Sequence, residues 1–126
     1  MEAMIYLDTH VVLWLFSGEK EKFTPKGLQI LDGKENLFIS PFVLLELQYL
    51  FELHRINFSG RQIFYALKKS FDLKVFDIDL LSLVECSLML KWTRDPFDRL
   101  IVAQAQLGNH LLMTKDKIIR KHYLKA

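Results

Sequence analysis

Short apolar segments alternate with longer helical segments along this chain, and that alternation restricts the possible folds more than any other feature. Four segments have the length and apolar character of buried β-strands: residues 4–7, 37–39, 73–78 and 110–113. Two helical segments separate each of these strands from the next. Connections of that length join parallel strands, and strands that are apolar throughout are covered on both faces. The pattern therefore predicts an α/β sandwich in which helices cover a parallel sheet.

Capping residues define the predicted helix boundaries. Ser40 precedes a proline, so a hydroxyl N-cap is followed by the residue type favoured at the first helical position. Ser59 and Gln62 have the spacing of a capping box. Asp79 is the predicted N-cap of a further helix, and Gly108 is the predicted C-terminal stop of another. The predicted helices are residues 9–16, 25–31, 41–55, 60–69, 80–91 and 96–107.

Length and composition indicate one globular domain, residues 1–126. Of the 126 residues, 51% are hydrophobic and 25% are charged, which excludes an intrinsically disordered chain. The single cysteine, Cys86, cannot form an intramolecular disulfide, and no secretory leader opens the sequence. Glu46 and Glu52 interrupt the longest apolar run, which is therefore shorter than the roughly 18 residues that a membrane span requires. We expect a cytoplasmic protein that does not associate with membranes.

Basic residues are concentrated near the C-terminus, although the formal net charge of the chain is only +2. Residues 91–126 contain eight basic and three acidic side chains. A rim that binds phosphate groups and a solvated lysine-rich end explain this stretch equally well. If the stretch binds the phosphates of a polyanion, the affinity for that ligand should fall steeply with added salt.

Two aspartates follow strands at the edge of the predicted sheet where ligand sites form. Asp8 comes directly after the first strand, and Asp116 lies shortly after the fourth. In open parallel sheets, ligands bind outside the carboxyl ends of the strands. A helix N-cap or a turn is nevertheless the commoner role for one aspartate at such a position. Neither residue identifies a site by itself.

Glu46 lies on an unusual face of its predicted helix. Its neighbours three and four residues away are all apolar: Phe42, Val43, Tyr49 and Leu50. A carboxylate that is buried without a partner is strongly destabilising. We therefore expect a basic side chain or a metal ion to compensate Glu46, unless the helix places its carboxylate at an edge that reaches solvent.

The segment from Arg94 to Arg99 has the highest density of charge in the chain. Asp95 is the predicted N-cap of a helix, and Asp98 falls in the first turn, where the helix dipole favours an anion. These structural roles are sufficient to explain both acids. However, residues 100–107 are almost wholly apolar, so this helix is predicted to be buried. Asp98 would then be a carboxylate with limited access to water.

We predict that four of these acids converge in one crevice: Asp8, Glu46, Asp98 and Asp116. Carboxylates that converge repel each other, which raises their pKa values or requires a cation. Oxygen ligands without histidine or cysteine favour Mg²⁺ or Mn²⁺ over zinc. Such ions support phosphodiester hydrolysis because they polarise the phosphate and lower the pKa of an attacking water.

Hydroxyl and guanidinium groups beside these acids are candidates for supporting roles. Thr9 and Thr114 can orient a carboxylate, a water or the scissile phosphate, or they can act only in caps and turns. Arg94 and Arg99 can bind backbone phosphates, or each can form a salt bridge with a neighbouring aspartate.

In four segments the chain resembles the PIN-domain family, and within it the VapC-type ribonucleases of toxin–antitoxin pairs. The segments are residues 5–10 (Ile-Tyr-Leu-Asp-Thr-His), 40–46, 95–105 (beginning Asp-Pro-Phe-Asp-Arg) and 112–116 (Leu-Met-Thr-Lys-Asp). An Asp-Thr pair alone is a weak match, whereas four segments in this order and spacing are specific.

The resemblance implies a three-layer, Rossmann-like sandwich with four or five parallel strands, which cleaves single-stranded RNA with bound Mg²⁺ or Mn²⁺. It implies that Asp8, Glu46 and Asp98 bind metal, that Asp116 completes a second or water-mediated contact, and that Thr114 supports them. Asp95 would be a helix cap, an acid behind the metal ligands, or both. The family also implies homodimers and a cognate antitoxin protein whose extended segment occupies a groove near the site.

Two other functions are compatible with parts of the sequence. A phosphoryl-transfer domain of the haloacid-dehalogenase or receiver kind also has an aspartate after its first strand, but such domains have a second acid where this chain has His10. The main alternative is a PIN-like module that binds RNA or a protein without cutting. The four histidines lack ligand spacing, and most aromatic side chains and Cys86 are predicted to pack in the core or in a dimer interface.

Overall fold

The computed structural model describes residues 4–33 and 36–123, which contain one four-stranded parallel sheet. Its strands are β1 (Ile5–Leu7), β2 (Leu37–Ile39), β3 (Lys74–Val75) and β4 (Leu111–Met113). They are arranged in the order β3-β2-β1-β4, and all three pairings are parallel. The α/β sandwich that the alternating pattern predicts is therefore confirmed.

Helices connect and flank the strands. The α-helices within the described residues are α1 (Thr9–Ser17), α2 (Pro25–Asp32), α3 (Pro41–Glu52), α4 (Gly60–Phe71), α5 (Leu80–Leu88), α6 (Pro96–Leu107) and α7 (Lys117–His122), and a 3₁₀ turn spans Lys20–Lys22. The predicted caps are present: the Ser40 and Asp79 side chains accept backbone N–H groups, and Ser59 and Gln62 form the capping box. Gly18 ends α1 in the left-handed conformation at φ 71°, which glycine adopts without steric cost.

The core lies on both faces of the sheet. Leu7, Ile39 and Leu112 in the strands are almost completely buried, and so are five consecutive residues of α6, Ile101 to Ala105. A helix buried around this much of its circumference must be covered on several sides, and α3, α5 and β4 all pack against α6. The middle of α6 is thereby buried, whereas its N-terminus, at Asp95 and Pro96, is exposed. Cys86 is partly buried against the core, as predicted.

The third strand is much shorter than predicted. The apolar run at residues 73–78 suggested a buried strand, but only Lys74 and Val75 pair, and both are exposed at the edge of the sheet. The neighbouring strand β2 ends at Ile39, so one further hydrogen bond, from Phe76 N–H to Ile39 O at 3.1 Å, completes the pairing. The length of β3 is therefore limited by the length of its partner β2, which the sequence of residues 73–78 does not encode.

Two helices end earlier than predicted. We expected one helix to reach Arg55, but α3 ends at Glu52 because His54 turns into the left-handed region at φ 60° and Arg55 N–H bonds back to Leu50 O. No glycine marks this turn. Similarly, α5 ends at Leu88 rather than at residue 91, because the next residues form a tight turn that buries Leu90.

Gly108 follows α6 as predicted, but its role differs from that of an ordinary glycine stop. Its φ is −93°, and the left-handed residue of this turn is Asn109 at φ 56°. A Cβ on Gly108 would collide with the His110 ring, so a larger residue here would require that ring to move. None of the helices in residues 4–33 and 36–123 is long and apolar enough to cross a lipid bilayer.

Candidate active site

The two aspartates that follow β1 and β4 lie at the same edge of the sheet. β1 and β4 are neighbouring parallel strands, and the Asp8 N–H donates to Met113 O at 3.0 Å. Asp116 follows three residues later and caps α7. Both carboxylates therefore lie outside the carboxyl ends of paired strands, where the sequence predicted them.

Asp8 is a buried carboxylate as well as a helix cap. Its Oδ1 accepts the Thr9 N–H at 2.7 Å, and its Oδ2 accepts the Thr114 hydroxyl at 2.6 Å. Only 6% of the residue is exposed, and burial raises the pKa of its carboxyl although both hydrogen bonds oppose that shift. The two interpretations offered for Asp8, cap and site carboxylate, are therefore compatible with each other.

Glu46 is compensated by a hydroxyl group rather than by a basic side chain. The Thr9 hydroxyl donates to Glu46 Oε1 at 2.5 Å, and no ion pair to Glu46 exists within residues 4–33 and 36–123. Burial raises the pKa of Glu46, and the negative charges of Asp8 and Asp95 raise it further. A neutral hydroxyl does not cancel the charge, so Glu46 still contributes negative potential to the site.

Asp98 is the most strongly perturbed acid of the site. Burial raises its pKa to about 7, and repulsion from four other carboxylates contributes to the shift, those of Asp95, Asp8, Asp116 and Glu46. Throughout the described ranges, no hydrogen bond or ion pair reaches the Asp98 carboxylate. The structure therefore brings the five predicted acids into one electrostatic environment, in which Asp98 lacks any neutralising partner.

Asp95 and Asp116 both act as helix caps through one carboxylate oxygen. Asp95 Oδ1 accepts the N–H groups of Phe97 and Asp98, at 2.8 and 3.3 Å. Asp116 Oδ1 similarly accepts two N–H groups at the start of α7. Capping fixes each carboxylate next to the positive end of a helix dipole. The cap role predicted for Asp95 is thus confirmed, and its charge also raises the pKa of Asp98.

Thr114 connects two of the acids. Its hydroxyl donates to Asp8 Oδ2 at 2.6 Å and accepts the Asp116 N–H at 3.0 Å. One hydroxyl therefore fixes the orientation of the Asp8 carboxylate and the start of the turn that leads to α7. This contact supports the carboxylate-orienting role among the alternatives considered for Thr114.

Two of the three candidates for phosphate binding have other hydrogen-bond partners in the structure. Thr9 is completely buried and its hydroxyl donates to Glu46, which supports the carboxylate-orienting role among the alternatives considered for it. Arg99 Nε donates to the Thr93 carbonyl at 2.7 Å instead of pairing with an aspartate. Arg94 is exposed, and within the described part of the chain it forms no ion pair. Arg94 thus remains the candidate whose guanidinium is accessible.

The structure places His10 and the aromatic pair of Tyr49 and Phe97 beside the site. Burial and the Lys115 charge lower the pKa of His10, although the charges of Asp8 and Asp116 oppose that shift. Tyr49 and Phe97 pack with ring centroids 5.8 Å apart, one turn from Glu46 and next to Asp98. This contact joins α3 to α6, the two helices that hold these acids. Only the tertiary structure reveals it, since the residues lie far apart in sequence.

The acids fit a hard divalent cation in the chemistry of their donors. All are carboxylates, and within the described residues none of them forms a salt bridge. In residues 4–33 and 36–123, no three acidic, histidine or cysteine side chains lie close enough together to hold a metal ion. A cation site is indicated by the carboxylate donors and by their accumulated negative charge, and not by a complete set of metal ligands already in place.

Comparison with known proteins relates the whole chain to one family. The family model described as PIN domain matches residues 5–124. The chain is 26% identical over 119 residues to ribonuclease VapC22 of Mycobacterium tuberculosis, a match that covers 94% of this chain and 91% of that protein.

Two solved structures have a similar fold. VapBC2 from Rickettsia felis, bound to a DNA fragment from their promoter, aligns with a TM-score of 0.66 and 22% identity, covering 94% of this chain and 92% of that one. A toxin–antitoxin complex from Klebsiella pneumoniae aligns with a TM-score of 0.55 and 21% identity, covering 89% and 86%. The family model spans almost all of the strands, helices and acids described above, and the chain therefore belongs to the PIN-domain family.

Proposed function

We propose that the chain is an endoribonuclease that depends on Mg²⁺ or Mn²⁺, cleaves single-stranded RNA, and serves as the toxin of a VapBC-type toxin–antitoxin pair. The observation that carries this proposal is the cluster of acids at the carboxyl ends of β1 and β4, with Asp98 lacking a partner and its pKa raised to about 7. Membership of the PIN-domain family and similarity to a protein named as a ribonuclease support the same function.

Asp8, Glu46 and Asp98 would bind the metal ion, and Asp116 would complete a second or water-mediated contact. A divalent ion bound there would polarise the scissile phosphate and lower the pKa of an attacking water. Two hydroxyl groups orient the carboxylates that would bind the ion: Thr114 donates to Asp8, and Thr9 donates to Glu46. Because these donors are themselves held by the fold, the carboxylates lose little side-chain freedom when a ligand binds.

The raised pKa of Asp98 links metal binding to proton release. At pH 7 this carboxyl is partly protonated, because its pKa is about 7. A cation binds the ionised form, so binding would displace the proton and the affinity for metal would rise with pH through this range. Asp95 would remain the cap of α6 and keep the negative potential around Asp98 high.

Exposed apolar side chains support the homodimer that the resemblance implies. On α5 they form a stripe that faces away from the core, consisting of Leu80, Leu81, Val84 and Leu88. A second stripe lies on α3, with Leu45, Tyr49 and Leu53. Both helices pack on α6. Apolar faces of this kind are commonly covered by a partner, and we propose that a second copy of the chain covers them.

The cognate antitoxin and the cytoplasmic location form part of the same proposal. The two solved structures with this fold are described as toxin–antitoxin assemblies. Expression of the chain alone in a bacterium should arrest growth, and coexpression of its antitoxin should restore growth. The Asp98→Asn protein, expressed to the same level, should be harmless; growth arrest by this variant would refute a nuclease toxin.

Cleavage of RNA by purified protein is the direct test. A mixed pool of single-stranded RNA is incubated with Mg²⁺, with Mn²⁺ or with EDTA. We expect cutting only with metal, its loss in Asp8→Asn and Asp98→Asn, and its retention in Asp77→Asn, a matched control at an exposed loop aspartate. Cutting that survives in the two site variants would refute this active site. If the parent binds RNA but never cuts, the chain is the non-catalytic RNA-binding module.

A further inference from the structure

A cavity of about 430 Å³ lies beside the acidic cluster, between α1, the start of α2, strand β4 and α7. Thr114 and Lys115, which follow β4, form part of its wall. The volume is within the range of sites that hold small molecules or single nucleotides, roughly 300–1,000 Å³. We call it the basic cavity for the reason that follows.

The charged groups around the basic cavity have one sign. Among the described residues that line it, four are cationic and none has a carboxylate; the cations are Lys22, Lys26, Lys115 and Arg120. Lys22 is neutralised by Glu19, with 3.1 Å between Nζ and Oε1. In the described ranges, the other three have no ion pair. Cations that converge around a cavity without counter-charges create a positive potential, which attracts anions.

Aromatic side chains form another part of the wall. The rings of Trp14 and Phe23 meet edge to face, with centroids 5.7 Å apart and planes at 87°. The Lys22 ammonium lies 5.6 Å from the centre of the Trp14 ring. Aromatic surfaces beside cations are the combination that proteins use for unpaired nucleotides, because bases stack and phosphates pair with the charges.

The basic cavity is connected to the acidic cluster through Thr114. This residue lines the cavity, and its hydroxyl donates to Asp8 Oδ2 at 2.6 Å. A chain whose scissile phosphate lies at the acids would therefore place its next nucleotide at the cavity. A second cavity, on the other side of α1, lacks this complementarity, since its described lining includes Glu19 and His10 but no lysine or arginine.

We propose that the basic cavity binds the nucleotide adjacent to the scissile bond of single-stranded RNA. Its base packs against Trp14 and Phe23, and its phosphate lies among Lys26, Lys115 and Arg120. This assignment rests on the proposed ribonuclease function, because that function supplies the RNA. The base next to the cleaved bond would then be selected by the cavity rather than by the acids.

Fluorescence of Trp14 reports RNA bound at the basic cavity or at the second cavity, since Trp14 lines both, and charge substitutions distinguish the two. The chain has two tryptophans, so Trp92→Phe leaves Trp14 as the single reporter. This protein is titrated in EDTA with a mixed-sequence single-stranded RNA decamer, so that binding is measured without metal-dependent cleavage. We expect saturable quenching of Trp14 by the decamer.

Two pairs of charge substitutions then locate the contact. Lys26→Gln with Arg120→Gln removes two cations of the cavity wall, whereas Lys20→Gln with Lys121→Gln removes two exposed cations outside it. We expect the cavity pair to weaken binding about tenfold and to reduce the slope of log affinity against log salt by about 1.4, as for two lost phosphate contacts. The control pair should change both by much less. Thermal unfolding confirms that all variants are folded.

Several results would overturn the assignment. Equal losses for both pairs would indicate general charge attraction, and unchanged quenching in the cavity pair would place the RNA elsewhere. Tighter quenching by a glutamate decamer than by the RNA would make the cavity a protein-binding site. If the parent cuts RNA with metal but the cavity pair binds normally, the cavity assignment fails and the nuclease proposal stands. If the parent never cuts and the cavity pair still loses RNA binding, the nuclease proposal fails and the cavity is an RNA-binding site with no scissile bond beside it.

Discussion

Replacing Asp98 with asparagine should make the metal-free protein more stable at alkaline pH and leave it nearly unchanged at acidic pH. The pKa of Asp98 is raised from 3.8 to about 7 by burial and by four neighbouring carboxylates. A carboxyl with a raised pKa binds its proton more tightly in the folded state than in the unfolded state. Its contribution to stability therefore falls as the pH rises from about 4 to about 7 and is constant above that.

The magnitude follows from the size of the shift. Between pH 5 and pH 8, a shift from 3.8 to about 7 corresponds to roughly 2.6 kcal/mol of lost stability for one group. Asp98 is only partly buried, so solvent screening reduces this to about 1 to 1.5 kcal/mol. In thermal unfolding, that difference is about 3 to 6 °C for a domain of this size. Above pH 7, where Asp98 is ionised, the loss of this anion from the first turn of α6 offsets a few tenths of a kcal/mol.

Urea unfolding of the parent and Asp98→Asn proteins in EDTA, at pH 5 and at pH 8, measures this difference. Asp77→Asn is the control, because Asp77 is exposed in the loop before α5. The stability gain of Asp98→Asn over the parent should be about 1 to 1.5 kcal/mol larger at pH 8 than at pH 5. An equal effect at both pH values, or destabilisation that grows with pH, would refute the claim that Asp98 lies among unneutralised acids.

Three further predictions test other contacts of the site and the proposed dimer. Glu46→Gln keeps an acceptor for the Thr9 hydroxyl but removes a charge. Metal-dependent cleavage should therefore vanish, while the melting temperature in EDTA is unchanged or higher; a clear decrease would show that the Glu46 charge is not repelled by its neighbours. Thr114→Val leaves Asp8 Oδ2 and the Asp116 N–H without their shared hydroxyl. The free energy of unfolding, measured in urea, should therefore fall by about 1 to 3 kcal/mol. Thr114→Ser keeps a hydroxyl and should retain most of the parent's stability. Leu81→Glu places a charge in the exposed stripe of α5, and light scattering should then show a monomer while the fold, measured by circular dichroism, persists.

The positions of the acids could be predicted from local patterns. Asp8 and Asp116 follow apolar strands, and the carboxyl ends of parallel strands meet at one edge of a sheet. Asp95 was predicted as a cap from the proline that follows it, and its carboxylate accepts the expected N–H groups. Glu46 was singled out because its helical neighbours are apolar. Each of these inferences uses only residues within about one helical turn or one strand.

The partners of these acids could not be predicted in the same way. Glu46 was expected to need a basic side chain or a metal ion, but a threonine from 37 positions earlier in the chain donates to it. Thr114 likewise bonds to an aspartate 106 positions away. Such contacts depend on which strands are neighbours and on how helices cross, and many different pairings satisfy the same local patterns.

The class of fold, the caps and the chemical character of the site follow from local properties of the sequence: alternating apolar segments, capping side chains, and carboxylates that follow strands or lie at helix starts. The order of the strands, the length of β3 and the ends of α3 and α5 depend instead on tertiary packing. Tertiary packing also leaves Asp98 without a hydrogen-bond or ion-pair partner among the described residues, and it places the basic cavity one hydrogen bond from Asp8. Packing sets these features, since burial and Coulomb interactions depend on distances between residues that are remote in sequence.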